Sequence, residues 1–190
     1  EIDLVEEFIR VFGMDKVNAE LPTFRPVISP VERLNFDNLR TAMSAMGYTE
    51  VITYSFISPR WNVFFRDKTL ELLNPISDEM KVMRSSLIPG LAMVTGRNKS
   101  LQRRDMSLFE IGKCFIPTEK GRLPHESVRL GAVLTGQREE THWSGKPRDV
   151  DFYDMKGLAE ALLPGLSVKP SEHPFYKPGY QADILLGERI

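Results

Sequence analysis

The order of the predicted helices and strands, together with the short connections between them, most constrains what this chain can fold into. Hydrophobic periodicity and turn residues predict, from residue 31 onward, the order helix, strand, strand, helix, strand, strand, helix, strand. A parallel crossover needs about a dozen residues or more, and several of these connections are shorter. We therefore predict an α+β fold in which an antiparallel sheet is flanked by helices on one face, and not a doubly wound parallel sheet.

The individual elements follow from local patterns. Apolar residues at spacings of three and four, or capping residues, predict helices at 2–12, 31–46, from Ser85 or Ser86 to Ser100, and 154–163. Runs rich in β-branched and aromatic residues predict strands at 50–57, 69–73, 106–116, 128–135 and 182–186. Gly13 is expected to end the first helix, and Asp154 to cap the last one.

A segment dense in proline separates the first helix from the rest of the chain. Pro22, Pro26 and Pro30 lack N–H donors and have restricted φ angles, so this segment is predicted to be a linker. Helical periodicity begins at residue 2 without an initiator Met, and a Gly187-Glu188 turn should lead into a return strand. We therefore expect the sequence to be cut inside a structural unit at both ends.

Composition excludes several classes of protein. The 190 residues are 42% hydrophobic and 27% charged with a net charge of −1, which is typical of a water-soluble globular protein without a general affinity for nucleic acid. Cys114 is the single cysteine and excludes an internal disulfide. No apolar run approaches the roughly 20 residues that cross a bilayer, and no signal peptide is present. We expect a cytoplasmic protein with no membrane contact.

Three carboxylates on the first predicted helix form a candidate metal site. Asp3, Glu6 and Glu7 are spaced so that they lie on one helix face, opposite the apolar stripe. Carboxylate oxygens are the ligands that Mg²⁺ prefers. The alternative is a solvated face on which Arg10 pairs with Glu6 and Glu7. Spacing by itself favours this second interpretation.

Residues for catalysis are not apparent. His125, His142 and His173 lie in three separate polar loops, and no nucleophile–base motif or glycine-rich phosphate loop is visible. Cys114, within a predicted strand, is interpreted as a packed residue. A basic cluster at 97–104, formed by Arg97, Lys99, Arg103 and Arg104, could meet an RNA backbone or form a solvated helix end.

Short strings distributed along almost the whole chain point to a known family. They are Asp3–Gly13, Gly47–Phe56, Asn74–Ser77, Met83–Leu91, Phe109–Lys113, His142-Trp143 and Asp151–Gly157. In this order they resemble the β chain of bacterial phenylalanyl-tRNA synthetase. Each string is weak alone, but together they are specific.

The resemblance implies a degenerate copy of the class II aminoacyl-tRNA synthetase core. Residues 1–22 would be the end of a small preceding domain, 23–30 the linker, and 31–190 the non-catalytic core, truncated at its C-terminus. Helix 31–47 and strand 50–57 resemble the pair that forms class II dimer interfaces. An active copy carries an arginine on the ATP phosphate just beyond the strand that contains Phe109–Gly112, and Ile116 lies near that place here. The copy is therefore expected to be inactive, with no catalytic or cofactor-binding residue.

The resemblance also implies partners and a metal. The α subunit would activate phenylalanine with ATP and charge tRNA-Phe, within an (αβ)₂ heterotetramer. Asp3, Glu6 and Glu7 match family ligands of Mg²⁺ at a site shared with the α subunit, although a further family Asp would precede Glu1. Two alternatives remain: a self-sufficient ligase, and a stand-alone RNA-binding module that uses the basic cluster at 97–104.

Overall fold

The structure is a computed structural model that describes residues 1–18, 20–21, 23, 36–62, 69–119, 122–139 and 142–187. The chain divides into two compact units, Glu1–Asn35 and Phe36–Ile190, which we describe separately. The predicted linker, except for residue 23, and residues 31–35 of the second predicted helix lie outside the described residues. The division into 1–22, 23–30 and 31–190 stays a prediction.

The first unit contains helix α1, Ile2–Phe12, as the apolar spacing predicted. Gly13 follows it with φ 105°, and its N–H donates to the carbonyl of Ile9 at 2.8 Å. A 3₁₀ turn at Met14–Lys16 comes next. None of the residues of α1 is buried, so its apolar face has no covering element among the described residues of this unit.

The second unit holds the remaining described helices and strands. Its helices are α2 (Asp37–Ala45), α3 (Pro59–Asn62), α4 (Ile88–Ser100) and α5 (Phe152–Leu162), with a 3₁₀ turn at Asp78–Met80. Its strands are β1 (Thr49–Glu50), β2 (Phe56–Ile57), β3 (Leu70–Glu71), β4 (Val82–Met83), β5 (Met106–Ile116), β6 (His125–Thr135), β7 (Leu166–Pro170) and β8 (Ala182–Leu186).

The main sheet has the strand order β1-β5-β6. Strands β5 and β6 pair antiparallel along their whole length, from Met106 opposite Thr135 to Ile116 opposite His125. Strand β1, however, pairs parallel with β5, so the prediction of an antiparallel sheet holds for β5 and β6 but is wrong for β1. The residues between β1 and β5 include all of α4, which is ample length for a parallel crossover.

The predicted strand 50–57 is divided between two sheets. Its first residue belongs to β1 in the main sheet, and its last two form β2 in a second sheet of order β2-β4-β3. Both pairings in this second sheet are antiparallel. The intervening residues 51–55 belong to neither sheet.

The C-terminal part of the unit combines α5 with an antiparallel pair of strands. Asp151, and not the predicted Asp154, is the N-cap of α5. Strand β8 confirms the prediction for 182–186, and it pairs with β7, which was not predicted. The return strand expected after Gly187 falls on residues 188–190, outside the described residues.

Strand β5 carries core residues on both faces. Phe109 is fully buried with Met43, Tyr48 and Leu158, so α2 and α5 cover one face of the sheet. The neighbouring Leu108 packs on the other face in a second cluster, with Leu87, Leu91 and Cys114. Side chains alternate along a strand, and helices therefore flank the main sheet on both sides, so the prediction of helices on one face was wrong.

Candidate functional site

The carboxylates predicted to bind metal lie on the exposed face of α1. Arg10 Nη2 is 3.2 Å from Glu6 Oε1, and Arg10 Nη1 is 3.0 Å from Glu7 Oε1. The oxygen donors suit Mg²⁺ chemically. Within the described residues, however, no three His, Cys, Asp or Glu side chains are arranged to hold a metal ion. Asp3, Glu6 and Glu7 would therefore need further ligands from elsewhere.

Ile116 occupies the last position of β5, near the place where the family resemblance puts an arginine in an active synthetase copy. It lies opposite His125, the first residue of β6, and is partly exposed. Its aliphatic side chain offers no donor for a phosphate oxygen. The nearby cation of Lys113 is paired with Glu126 at 2.7 Å.

Residues 51–55, which link β1 to β2, expose two large side chains. Ile52 is 91% exposed and Tyr54 is 72% exposed, while Thr53 between them points inward. On the preceding helix α2, Met43 faces the core and is fully buried. The surface predicted to contact a partner thus presents its apolar groups mainly on this segment.

A buried polar network lies directly beneath this segment. Arg84 and Glu110 are 4% and 2% exposed, and Arg84 Nη1 donates to Glu110 Oε1 at 2.6 Å. The Thr53 hydroxyl donates to Glu110 Oε2 at 2.7 Å and accepts from Arg84 Nη1 at 2.9 Å. The backbone N–H of Thr53 donates to Glu110 Oε1 at 3.2 Å. Each buried charge is therefore both paired and hydrogen-bonded, as burial of a charge requires.

Arg84 also connects the two sheets of the unit through its backbone. Its N–H donates to the carbonyl of Ser55, and its carbonyl accepts from the N–H of Phe115 in β5, each at 2.9 Å. Its Nε donates to the carbonyl of Lys113 at 2.9 Å. One residue after β4 therefore holds β5 and the segment before β2 in register.

Two glycines make room for the network. A Cβ on Gly112 would lie 2.3 Å from Arg84 Nη2, and a Cβ on Gly90 would lie 2.3 Å from Thr53 Oγ1. All of these residues fall within strings that carry the family resemblance, yet sequence reasoning missed the network. The partners of Glu110 are 26 and 57 residues away, and an Arg, a Glu and a Thr at such separations have no recognisable spacing.

The other sequence candidates lie apart from this network. The four residues of the basic cluster at 97–104 are exposed, and none is ion-paired with a carboxylate in the part of the chain that the structure describes. Two of them, Arg103 and Arg104, line a polar cavity of about 770 Å³. Cys114 is fully buried, and burial raises the pKa of its thiol, so it is not poised as a nucleophile.

The three histidines are separate in the structure as well, although His125 lies in a strand and not in the predicted loop. His125 begins β6, His142 lies in the loop before α5, where its Nδ1 is 2.9 Å from Ser144 Oγ, and His173 lies between β7 and β8. A second cavity, of about 720 Å³, lies between the start of α5 and the β7–β8 pair, and Phe152, Tyr153 and Tyr180 are among its lining residues. No helix in the described ranges is long and apolar enough to cross a membrane.

Comparison with solved structures places the fold among the aminoacyl-tRNA synthetases. The pyrrolysyl-tRNA synthetase PylSc of Desulfitobacterium hafniense matches 80% of this chain and 54% of its own, with a TM-score of 0.55 and 18% identity. A crystal structure of pyrrolysyl-tRNA synthetase from the same organism gives the same TM-score and coverage at 15% identity. At this level of identity the likeness concerns the fold alone.

The chain belongs to the family described as "Phenylalanyl tRNA synthetase beta chain CLM domain", whose model matches residues 18–190. The phenylalanine–tRNA ligase beta subunits of Syntrophus aciditrophicus and Moorella thermoacetica are 34% and 36% identical over the whole of this chain. That of Shewanella oneidensis is 35% identical. The chain spans about a quarter, 25%, of the length of each of these relatives. The family predicted from the sequence strings is confirmed.

Proposed function

We propose that this chain is the non-catalytic core of the β subunit of phenylalanine–tRNA ligase, a degenerate class II synthetase domain. It supports an α subunit that activates phenylalanine with ATP and charges tRNA-Phe, in a cytoplasmic (αβ)₂ heterotetramer. The family membership and the relatives named beta subunits support this role. The contribution of this domain is structural, and the chemistry belongs to the α subunit.

One observation carries the non-catalytic assignment. Ile116 ends β5, near the place where the family resemblance puts the cation that an active copy needs to neutralise developing phosphate charge. Hydrogen bonds from charged donors are about twice as strong as neutral ones, and an aliphatic side chain supplies neither kind. The chain by itself should therefore not support ATP-dependent pyrophosphate exchange with phenylalanine, and such exchange would establish the self-sufficient ligase instead.

The proposed contact with the α subunit uses α2 and residues 51–55. The high exposure of Ile52 and Tyr54 supports this choice, because aromatic and large apolar side chains are typical anchors of protein interfaces. Arg40 on α2 donates through Nε to Glu50 at 2.9 Å, which ties the helix to β1. Helix and segment would thus meet the partner as one surface.

We also propose that magnesium binds at a site that this chain shares with the α subunit. Asp3, Glu6 and Glu7 would supply carboxylate oxygens, with the remaining ligands coming from the α subunit. Binding requires that Arg10 release Glu6 and Glu7, since it pairs with both of them in this structure. A bound divalent cation would offset the mutual repulsion of these like charges.

The deciding experiment is reconstitution of the ligase. The intact β chain is co-expressed with its α partner, and co-purification and charging of tRNA-Phe are measured. We expect a stable complex whose activity is lost when the β chain is omitted. An α subunit that charges tRNA-Phe alone and does not bind the β chain would overturn the proposal.

The alternative, a stand-alone RNA-binding module, has one observation in its favour. The cluster at 97–104 is exposed and unpaired within the described residues. A net charge of −1 nevertheless opposes a free RNA-binding role. That role would require RNA affinity of the isolated chain that falls steeply with salt and with neutralisation of these four residues.

A further inference from the structure

We propose that Thr53, Glu110 and Arg84 are positioning residues for the partner surface: they hold residues 51–55 so that Ile52 and Tyr54 face the α subunit. The inference deepens the proposed function and rests on it, since the partner is the α subunit. It adds to that function a buried charge network that fixes the conformation of the exposed contact segment above it.

The middle of the segment 51–55 needs such a network because its backbone is not paired with a neighbouring strand. The N–H of Val51 donates to the carbonyl of Phe109 at 2.8 Å, just beyond the β1–β5 pairing. The next backbone-to-backbone bond toward the rest of the unit joins Ser55 to Arg84. Between them, the backbone N–H of Thr53 bonds to the carboxylate of Glu110. A side chain therefore takes the place of the backbone acceptor at the centre of the segment.

The same contact decides which side chains face outward. Successive side chains of an extended segment point to opposite sides. With Thr53 fastened inward to Glu110, Ile52 and Tyr54 must point out, and they are 91% and 72% exposed. A shift of one residue would bury these two and expose Thr53. The network thus selects one of two arrangements of the contact surface.

Energetic reasoning favours positioning over stabilisation as the role of the network. A buried ion pair often adds no stability relative to apolar residues of the same volume, because desolvation of the charges offsets their attraction. Glu110 accepts from three donors, and Arg84 donates from Nε and Nη1, so several directional bonds constrain the geometry at once. The network also packs closely against the glycines at 90 and 112, where there is no room for a Cβ atom.

The test compares Thr53→Val with Thr53→Ser in the intact β chain, titrated with the α subunit. Valine keeps the shape of threonine but lacks the hydroxyl, whereas serine retains it. We expect Thr53→Val to weaken subunit association by about tenfold, within the range of coupling between contacting residues. Thr53→Ser should bind as the unmodified chain does. Amide exchange at residues 52–55 should accelerate in Thr53→Val while amides of β5 and β6 stay protected.

A second variant separates positioning from general destabilisation. If the network acts through Tyr54, then Tyr54→Ala should cost less affinity in the Thr53→Val background than in the unmodified chain. Additive losses, or normal association of Thr53→Val, would overturn the inference. If the unmodified β chain does not bind the α subunit, both the inference and the proposed function are wrong. If Ile52→Ala and Tyr54→Ala bind normally, both the inference and the proposed contact surface are wrong. If Ile52→Ala and Tyr54→Ala bind weakly but Thr53→Val binds normally, the contact surface stands and only the positioning role of the network is wrong.

Discussion

At the scale of single residues, the neighbours of Asp154 shift the pKa of its carboxyl group strongly. Arg148 donates to it through Nη1 and Nη2 at 2.8 and 2.7 Å, and the backbone N–H of Asp151 donates at 2.9 Å. Arg138 adds a cation at 3.4 Å. The hydrogen bond from Arg148, the largest cause, and the others lower the pKa of Asp154 from 3.8 to about 2.

This shift predicts a pH dependence of stability. A carboxyl whose pKa is lower in the folded state stabilises the fold above its unfolded pKa, and loses this effect as the pH falls through the folded value. The stability advantage of the unmodified chain over Asp154→Asn should therefore be full above about pH 4 and vanish toward pH 2. Arg148→Gln should lose part of the same acid-dependent stability. Urea unfolding midpoints from pH 2 to 5 measure this, and parallel curves for all three chains would contradict it.

At Gly112, a single added carbon atom would collide with the buried network of Arg84 and Glu110. A Cβ there would meet Arg84 Nη2 at 2.3 Å and Glu110 Oε1 at 3.2 Å, so Gly112→Ala must displace a buried guanidinium from its partners. We expect a loss of about 3 kcal/mol in unfolding free energy, the cost of breaking a buried pair. Gly157→Ala, in α5 with nothing near the added Cβ, is the control and should stabilise by about 0.5 kcal/mol. Equal midpoints in denaturant for both variants would refute the tight fit at Gly112.

At the scale of elements, the start of α5 shows a reciprocal cap. The Asp151 carboxylate accepts from the N–H groups of Tyr153 and Asp154, while the Asp154 side chain accepts from the N–H of Asp151. The sequence analysis predicted Asp154 as the cap, whereas Asp151 occupies the N-cap position in the structure. Asp154 is the third residue of the helix and is also ion-paired with Arg138 and Arg148.

The cap at Asp151 can be tested by itself. Asp151→Ala removes an acceptor for two N–H groups and should cost about 1 kcal/mol of unfolding free energy. Asp151→Ser and Asp151→Asn keep an oxygen at the same place and should lie within a few tenths of the unmodified chain. Thermal unfolding of the four chains compares them. If all three variants lost stability equally, the charge of Asp151, and not its capping hydrogen bonds, would be what stabilises the helix.

Strand predictions succeeded where the pattern is local and failed where a distant residue intervenes. Met106–Ile116 has the predicted bounds because its apolar side chains pack on helices at both faces. The segment 50–57 is also rich in β-branched and aromatic residues, yet it is interrupted at Thr53, which bonds to Glu110 57 residues away. Strands β4 and β7, of two and five residues, were not predicted.

At the scale of the whole molecule, the proposed magnesium site predicts a property of the assembled ligase. Asp3→Ala combined with Glu6→Ala removes two carboxylates from the proposed ligand set. In the complex of intact β chain and α subunit, we expect weaker assembly and a higher magnesium requirement for charging. Glu20→Ala, a carboxylate of the same unit outside the proposed set, is the control. Unchanged magnesium dependence and assembly of the double variant would count against the ligand role.

The sequence by itself determined the family, the α+β class, most element positions, and the aliphatic residue at 116, because each is written in neighbouring residues or in short strings. Tertiary structure alone decided that β1 runs parallel to β5, and that Thr53, Arg84 and Glu110 meet beneath Ile52 and Tyr54. The physical reason is burial. A charge pair becomes strong and directional only where water is excluded, and which residues share that place depends on how the whole chain packs.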